Sequence, residues 1–188
     1  GRVAGTMGNR HRDMAPQNVY PCTGDDMWVA VSVGSQDEWA GLCRAIGQPE
    51  LETDARFQDS KGRRKNHDAL DEIISSWTQQ CDHYQAMHLL QAEGVPAGAV
   101  LKGSETIVEP HLDARGFWDV VDHPEAGIYK QTTLPWVLSK SPRQTTVPAA
   151  SLGEHNYQVL GGLLGLSTSE IDDLVASGIT GDVPNPDA

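Results

Sequence analysis

The sequence predicts an α+β fold in which short antiparallel strands pack with helices. Two β-prone runs, at residues 19–22 and 27–33, flank a Thr-Gly-Asp-Asp turn, which is a hairpin pattern. Several later segments carry apolar residues at helical spacing, and two of them begin with a capping signal. The chain has 188 residues, of which 38% are hydrophobic and 21% charged, as is usual for a folded domain with its own core.

The first elements are a loop and a buried hairpin. Residues 1–17 mix Gly, Arg, His, Asn and Pro without a period and are predicted to be a loop or linker. In the run at 27–33, one face is apolar throughout and the other is largely apolar. The first face carries Met27, Val29, Val31 and Val33, and the second carries Trp28, Ala30 and Ser32. This strand is therefore predicted to be mostly buried.

Three helices are predicted next. Ser35 and Glu38 form a capping box before an apolar stripe, and Gly47 can end that helix in the left-handed conformation. A second helix is predicted over much of 61–78. A third is predicted from Asp82 to Glu93. The residues of the third helix predicted to face inward are Tyr84, Met87, Leu90 and His88.

The remaining elements alternate between short strands and helices. Residues 95–101 are predicted as a strand, and Ser104 as the cap of a brief helix. A strand pair is predicted at 117–122 and 128–134, followed by an extended linker at 139–150 that is rich in Ser, Thr, Pro and Ala.

The end of the chain is predicted to be helical. One helix is expected around 156–164, and another begins at Ser167 with Glu170 in a second capping box. The tail at 181–188 is expected to fray. The predicted organisation is therefore a loop at 1–17, an α+β domain at 18–136, and a strap with C-terminal helices at 137–188.

Charge and cysteine content narrow the possible partners. Asp plus Glu number 26 against 14 Lys plus Arg, a formal net charge of −12, which disfavours binding to nucleic acid or to anionic membranes. No apolar run approaches the roughly 20 residues of a transmembrane helix. Cys22, Cys43 and Cys81 share no metal-binding spacing, so reduced thiols and a cytoplasmic location are predicted.

Few segments carry a motif with chemical meaning. The glycines match no phosphate-binding loop, no Gly-x-Ser-x-Gly elbow is present, and His83 and His88 lack the spacing of a helical metal pair. No metal is therefore expected. The run Asn9-Arg10-His11-Arg12 could bind a carboxylate or phosphate, or be only a solvated loop. Gly153-Glu154-His155 could be only the start of a helix.

The order of these segments resembles the C-terminal half of the family III CoA-transferases, the group of formyl-CoA and carnitine CoA-transferases. The segments that carry the resemblance are Gly8-Asn9-Arg10-His11, the hairpin with Tyr20-Pro21-Cys22-Thr23-Gly24, Gly94-Val95-Pro96-Ala97-Gly98, Leu152-Gly153-Glu154-His155 and Leu163-Leu164-Gly165-Leu166. The resemblance implies that 18–136 is the family's small domain. The C-terminal segment would then return to a large domain that is not in this sequence, and two chains would interlock as a homodimer or a swapped oligomer.

The resemblance also implies a function. Family members move coenzyme A between carboxylic acids through an aspartyl-CoA intermediate, with acyl-CoA as a substrate and a large-domain aspartate as nucleophile. No residue here matches that aspartate, so no catalytic residue is assigned, and this chain alone is expected to be an inactive fragment. Asn9, Arg10 and His11 would line the acyl side of the site. The glycine run of the formyl-CoA transferase loop is missing from residues 8–14.

Two other functions stay open. One is an α-methylacyl-CoA racemase-like enzyme. In some racemases a supporting glutamate precedes the Val-Tyr of the hairpin, and Asn18 stands there instead, which favours the transferase. The other is a non-catalytic binding or assembly subunit.

Overall fold

Three short strands form an antiparallel sheet in the computed structural model, which describes residues 5–141 and 147–184. They are β1 (Gln17–Pro21), β2 (Trp28–Ser32) and β3 (Ala97–Val100), in the order β1-β2-β3. The hairpin predicted between the first two is confirmed, with Gln17 paired to Ser32 and Pro21 to Trp28. The strand predicted at 95–101 is confirmed as β3, with Ala30 opposite Gly98.

Four helices lie between β2 and β3 in the chain. They are α1 (Gln36–Ala45), α2 (Ser60–Lys65), α3 (His67–Thr78) and α4 (His83–Ala92), with a 3₁₀ turn at Pro49–Thr53. The Ser35–Glu38 capping box is present, since the Ser35 hydroxyl accepts from the Glu38 amide while the Glu38 carboxylate accepts from the Ser35 amide. Gly47 has φ +70°, the left-handed end that the sequence predicts for this helix.

The prediction of a single helix over much of 61–78 is wrong, because the helix is interrupted at Asn66. This residue has φ −108° and ψ 30°, outside helical geometry. Its side-chain amide donates to the carbonyls of Gly62 at 2.9 Å and Arg56 at 3.1 Å. The amide thus competes with the helical hydrogen bonds at this point, and two helices form instead of one.

The predicted inward face of α4 is only partly correct. Leu90 is buried, Tyr84 and Met87 are half-buried, and His88 is exposed. His83 and Ala86 are the other buried residues of this helix. The buried positions follow i, i+3 and i+7 from His83, so the inward stripe starts one residue earlier than predicted.

A tryptophan and a buried arginine lie in the middle of the core. The Trp39 and Phe57 ring centroids are 6.0 Å apart, and the Arg63 guanidinium lies 5.0 Å from the Trp39 ring. Arg63 donates to the carbonyls of Ala15 at 2.9 Å and Phe57 at 3.0 Å. Burial lowers the pKa of Arg63, and these carbonyls supply the hydrogen bonds that a buried guanidinium requires.

The chain divides into two units, Gly1–Ser104 and Glu105–Ala188. The second contains α6 (Pro110–Ala114), β4 (Trp118–His123), β5 (Gly127–Thr132), a π-helix at Tyr157–Leu163 and α7 (Thr168–Ala176), and the short α5 (Gly103–Thr106) falls at the division. The predicted strand pair and the Ser167–Glu170 capping box are confirmed. Helix α6 was not predicted, and it begins where the Glu109 carboxylate accepts from the Leu112 amide at 2.7 Å.

Other predictions for this region have mixed outcomes. Ser104 lies inside α5 instead of capping it, and the helix predicted around 156–164 is present with π-helical hydrogen bonding. Residues 142–146 of the predicted linker and 185–188 of the predicted tail lie outside the described residues. The predicted boundaries at 17 and 136 stay predictions. Within the described residues, no helix combines the length and apolar character needed to cross a bilayer.

Candidate functional site

An open groove of about 650 Å³ crosses the sheet of the first unit. This sheet groove is lined by Gly8, Asn9, Gln17, Asn18, Val19, Ala30, Val31, Ser32, Pro96, Ala97 and Gly98. Val19 is paired with Ala30, which is paired with Gly98, so these three lie side by side across the strands. Because Ala30 and Gly98 have little or no side chain, the middle of the sheet is left as a trough.

The polar groups of the sheet groove are uncharged. They belong to Asn9, Gln17, Asn18 and Ser32, and the Asn18 side-chain amide also hydrogen-bonds the Asp71 carboxylate. Each amide can donate and accept hydrogen bonds. None of the described lining residues has a charged side chain. These uncharged groups can donate hydrogen bonds to carbonyl or carboxyl oxygens. The apolar part of the lining includes Val19 and Ala30.

The predicted site residues form a tight loop at one end of the groove. Gly8 has φ +62°, and the Arg10 amide donates to the Met7 carbonyl at 3.3 Å, which closes the turn. We call Gly8, Asn9, Arg10 and His11 the 8–11 loop. Of these, Gly8 and Asn9 line the sheet groove. The structure thus brings one of the three predicted site residues, Asn9, into the groove.

Arg10 and His11 contact the protein itself. The Arg10 guanidinium pairs with the carboxylates of Asp68 and Asp71, the latter at 2.9 Å. These contacts raise the pKa of Arg10, chiefly through the hydrogen bond that Arg10 donates to Asp68. His11 Nδ1 accepts from the Asp13 amide at 3.1 Å, a local contact that orients the ring.

Sequence reasoning missed Asp71. Its carboxylate accepts from the Tyr20 hydroxyl at 2.8 Å and lies 3.1 Å from His67 Nδ1. Burial acts to raise the pKa of Asp71, but hydrogen bonds from Tyr20, Asn18 and Arg10 outweigh it and hold that pKa below the usual range. Burial, followed by the charge of Asp71, raises the pKa of Tyr20. The i, i+4 spacing of His67 and Asp71 on one helix was the available signal.

The Gly153-Glu154-His155 segment lies in the second unit. The Glu154 carboxylate accepts from the Ser151 amide at 2.8 Å, which is a local contact at the start of a helix. Gly153, Glu154 and His155 line a separate cavity of about 440 Å³ with residues of the C-terminal helices. The geometry therefore accords with the helix-start interpretation of this motif.

The described residues show neither a metal cluster nor an activated thiol. Within them, no group of three or more His, Cys, Asp or Glu side chains could share a metal ion. All three cysteines are buried and free. Burial raises the pKa of Cys22 to about 11 and that of Cys43 to about 12. These two thiols are therefore protonated, and poor nucleophiles, at neutral pH.

Comparison with known proteins places this chain in a family. A family model for CoA-transferase family III matches residues 1–156. The chain is 32% identical over 176 residues to the succinyl-CoA–D-citramalate CoA-transferase of Chloroflexus aurantiacus, covering 94% of this chain and 44% of that protein. It is 35% identical to the probable CoA-transferase Rv1866 of Mycobacterium tuberculosis, covering 88% of this chain and 21% of that protein.

Solved structures agree on the fold. A CAIB/BAIF family protein from Brucella suis has a TM-score of 0.70 at 23% identity, covering 86% of this chain and 41% of that one. Rv3272 of Mycobacterium tuberculosis has a TM-score of 0.62 at 21% identity, covering 77% and 40%. The chain spans less than half the length of these relatives. The match over residues 1–156 and the identity to curated CoA-transferases show that this chain belongs to CoA-transferase family III.

Proposed function

We propose that this chain is the small-domain part of an enzyme that moves coenzyme A between carboxylic acids, with acyl-CoA as donor. The observation that carries the proposal is the family match over residues 1–156, together with 32% identity over 94% of the chain to a succinyl-CoA–D-citramalate CoA-transferase. Other relatives are named as formyl-CoA:oxalate and succinate–glutarate CoA-transferases. Small dicarboxylic acids are therefore the acceptor class that we propose.

The proposed chemistry uses an aspartate nucleophile outside this chain and passes through an aspartyl-CoA thioester. In this proposal Asn9, Arg10 and His11 of this chain line the acyl side of the active site. Support comes from the position of Asn9 in a groove lined by neutral amides, which can hydrogen-bond a carboxyl or thioester oxygen. The chain alone would then bind no acyl-CoA productively, and no metal would take part.

We further propose that the complete enzyme is a homodimer located in the cytoplasm. The exposed apolar side chains of the second unit support association, since Leu163 is 79% exposed and Leu164 is 66% exposed. In the complete enzyme we propose that this surface docks on the large domain, and that two such chains interlock as the dimer. Sedimentation of the complete protein should give a dimer, and a monomer at micromolar concentration would contradict the proposal.

The test uses the full-length protein encoded by the reading frame that contains this sequence. It is incubated with succinyl-CoA and, separately, with D-citramalate, oxalate or glutarate, and new acyl-CoA species are measured by mass spectrometry. We expect transfer to at least one acid, with a hydroxylamine-sensitive enzyme-bound CoA thioester during turnover. Absence of transfer across the panel would overturn the proposal, as would deuterium wash-in at the α-carbon of an acyl-CoA without an acceptor acid.

A variant pair tests the role of Asn9. Asn9→Ala removes an amide from the sheet groove and should raise the KM for the acceptor acid about tenfold, the scale of one well-placed hydrogen bond. Gln58→Ala is the control, because this side-chain amide donates to the Thr53 carbonyl at 3.3 Å and Gln58 does not belong to the groove lining. Equal KM values for both variants would remove Asn9 from the proposed site.

A further inference from the structure

The Asp71 carboxylate connects three parts of the first unit. Tyr20 on β1 donates to it at 2.8 Å, His67 on α3 lies 3.1 Å away, and Arg10 of the 8–11 loop contacts it at 2.9 Å. The Asp71 side chain is only 19% exposed. A carboxylate of low exposure with several donors is held in one orientation, because each lost contact would leave a buried polar group without a partner.

His67 extends this network to the groove. It is 3% exposed, and its Nε2 lies 3.3 Å from the backbone amide nitrogen of Gln17. A backbone amide can only donate, so Nε2 must accept and Nδ1 carries the hydrogen that faces Asp71. His67 therefore links the Asp71 carboxylate to the first residue of β1, and Gln17 itself lines the sheet groove.

Asn9 lies between two links to this network. On one side its neighbour Arg10 is bound by Asp71. On the other, the Gln17 side-chain amide donates to the Asn9 carbonyl at 3.4 Å and accepts from the Ser32 hydroxyl at 3.3 Å. Both routes start at Asp71 and end at the residue that lines the groove. The loop is thus tied down by side chains, where sequence alone suggested an irregular segment.

We propose that Asp71 is a positioning residue that, through Arg10 and His67, holds the 8–11 loop so that Asn9 faces the sheet groove. This inference rests on the proposed function for its effect on substrate, and on the contacts above for its effect on the loop. The second acid on Arg10, Asp68, has a side chain 88% exposed, and exposed ion pairs contribute little. The orienting effect therefore falls mainly on Asp71.

The test compares two variants of the full-length protein. Asp71→Asn keeps the shape but removes the charge that binds Arg10. Glu93→Gln is the matched control, because it removes an ion pair of 2.7 Å with Arg44 outside the groove lining. Two readouts are used: the rate of trypsin cleavage after Arg12, and kcat and KM for the acceptor acid.

Asp71→Asn should speed cleavage after Arg12 about tenfold and raise the KM for the acid about tenfold, with kcat changed by less than about twofold. Glu93→Gln should change neither. If Asp71→Asn fails to fold, Arg10→Ala replaces it and is judged by trypsin cleavage alone, which should again be about tenfold faster after Arg12 because the same ion pair is lost. If the variant that is used, Asp71→Asn or Arg10→Ala, is cleaved after Arg12 at the rate of the unaltered protein, the positioning role of Asp71 is overturned. An unaltered enzyme without CoA transfer would overturn the proposed function alone, and the cleavage comparison would still decide the role of Asp71.

Discussion

The two units of this chain differ in how much of their large apolar surface they bury. In Gly1–Ser104, the exposed large apolar residues within the described part are few: Met7, Trp28, Leu89 and Val100. In Glu105–Ala188 they include Val137 at 78%, Leu163 at 79% and Ile128 at 74%, while Val121 and Ile171 are the buried apolar residues among those described.

The difference shows where each unit obtains its stability. Burial of apolar area contributes about 25 cal/mol per Å², so the first unit carries its own driving force for folding. The second unit has capped helices and a strand pair, but most of its large apolar side chains within the described residues are exposed. Local sequence features such as capping boxes produce helices in both units. A hydrophobic core of many buried residues forms in the first unit. We expect the second unit to depend on another protein surface.

The largest expected effect is a core truncation. Leu70→Ala removes a fully buried side chain and should lower the free energy of unfolding by about 2–5 kcal/mol. The matched change Leu164→Ala, at a side chain 66% exposed, should stay within about 0.5 kcal/mol. Urea unfolding followed by tryptophan fluorescence measures both. Equal losses would break the comparison between the units.

Two glycine substitutions should have effects of opposite sign. A Cβ on Gly41 would lie 2.2 Å from the Glu93 carbonyl oxygen and 3.2 Å from a Val95 methyl, so Gly41→Ala should cost about 1–3 kcal/mol. A Cβ on Gly162 would meet nothing within 4 Å. Gly162→Ala should therefore stabilise its helix by up to about 1 kcal/mol. Thermal unfolding compares the pair, and a loss in both would mean that Gly162 is packed in solution.

Removal of the two capping boxes should have similar local costs in both units. Ser35→Ala and Ser167→Ala each delete a hydroxyl that accepts from a backbone amide, at a cost of about 1 kcal/mol. Hydrogen exchange should report faster opening of α1 or α7, respectively. Ser76→Ala, within α3, is the control and should change the exchange of neither helix. An unchanged α7 in the Ser167 variant would mean that this cap is not formed in solution.

The smallest expected effect is a pH dependence from Asp71. Its folded pKa lies below the usual Asp value of 3.8, so its stabilisation is complete above that pH and is lost as pH falls through the folded pKa. Asp71→Asn should flatten the fall in stability of the first unit below about pH 4. Asp173→Asn, on exposed α7, should leave it unchanged. Denaturant midpoints from pH 2 to 7 measure the difference.

Part of the candidate site was predictable and part was not. The 8–11 loop was identified from its residues and from the family resemblance, and Asn9 does line a groove. The ion pair between Arg10 and Asp71 was not predictable, since the two residues are 61 positions apart in the sequence. The break at Asn66 was also missed, because the side-chain contact to the Arg56 carbonyl, ten residues away, depends on how the intervening loop folds back.

By itself, the sequence determined the hairpin, the two capping boxes and the family. Each of these depends on residues a few positions apart, as in the bond from the Glu38 amide to the Ser35 hydroxyl, or on the order of short motifs along the chain. Tertiary structure alone decided that Tyr20 and Arg10 meet Asp71. Tyr20 is 51 residues from Asp71, and Gln17 is 50 residues from His67. Such contacts depend on how strand and helix pack, since no local rule encodes their distance.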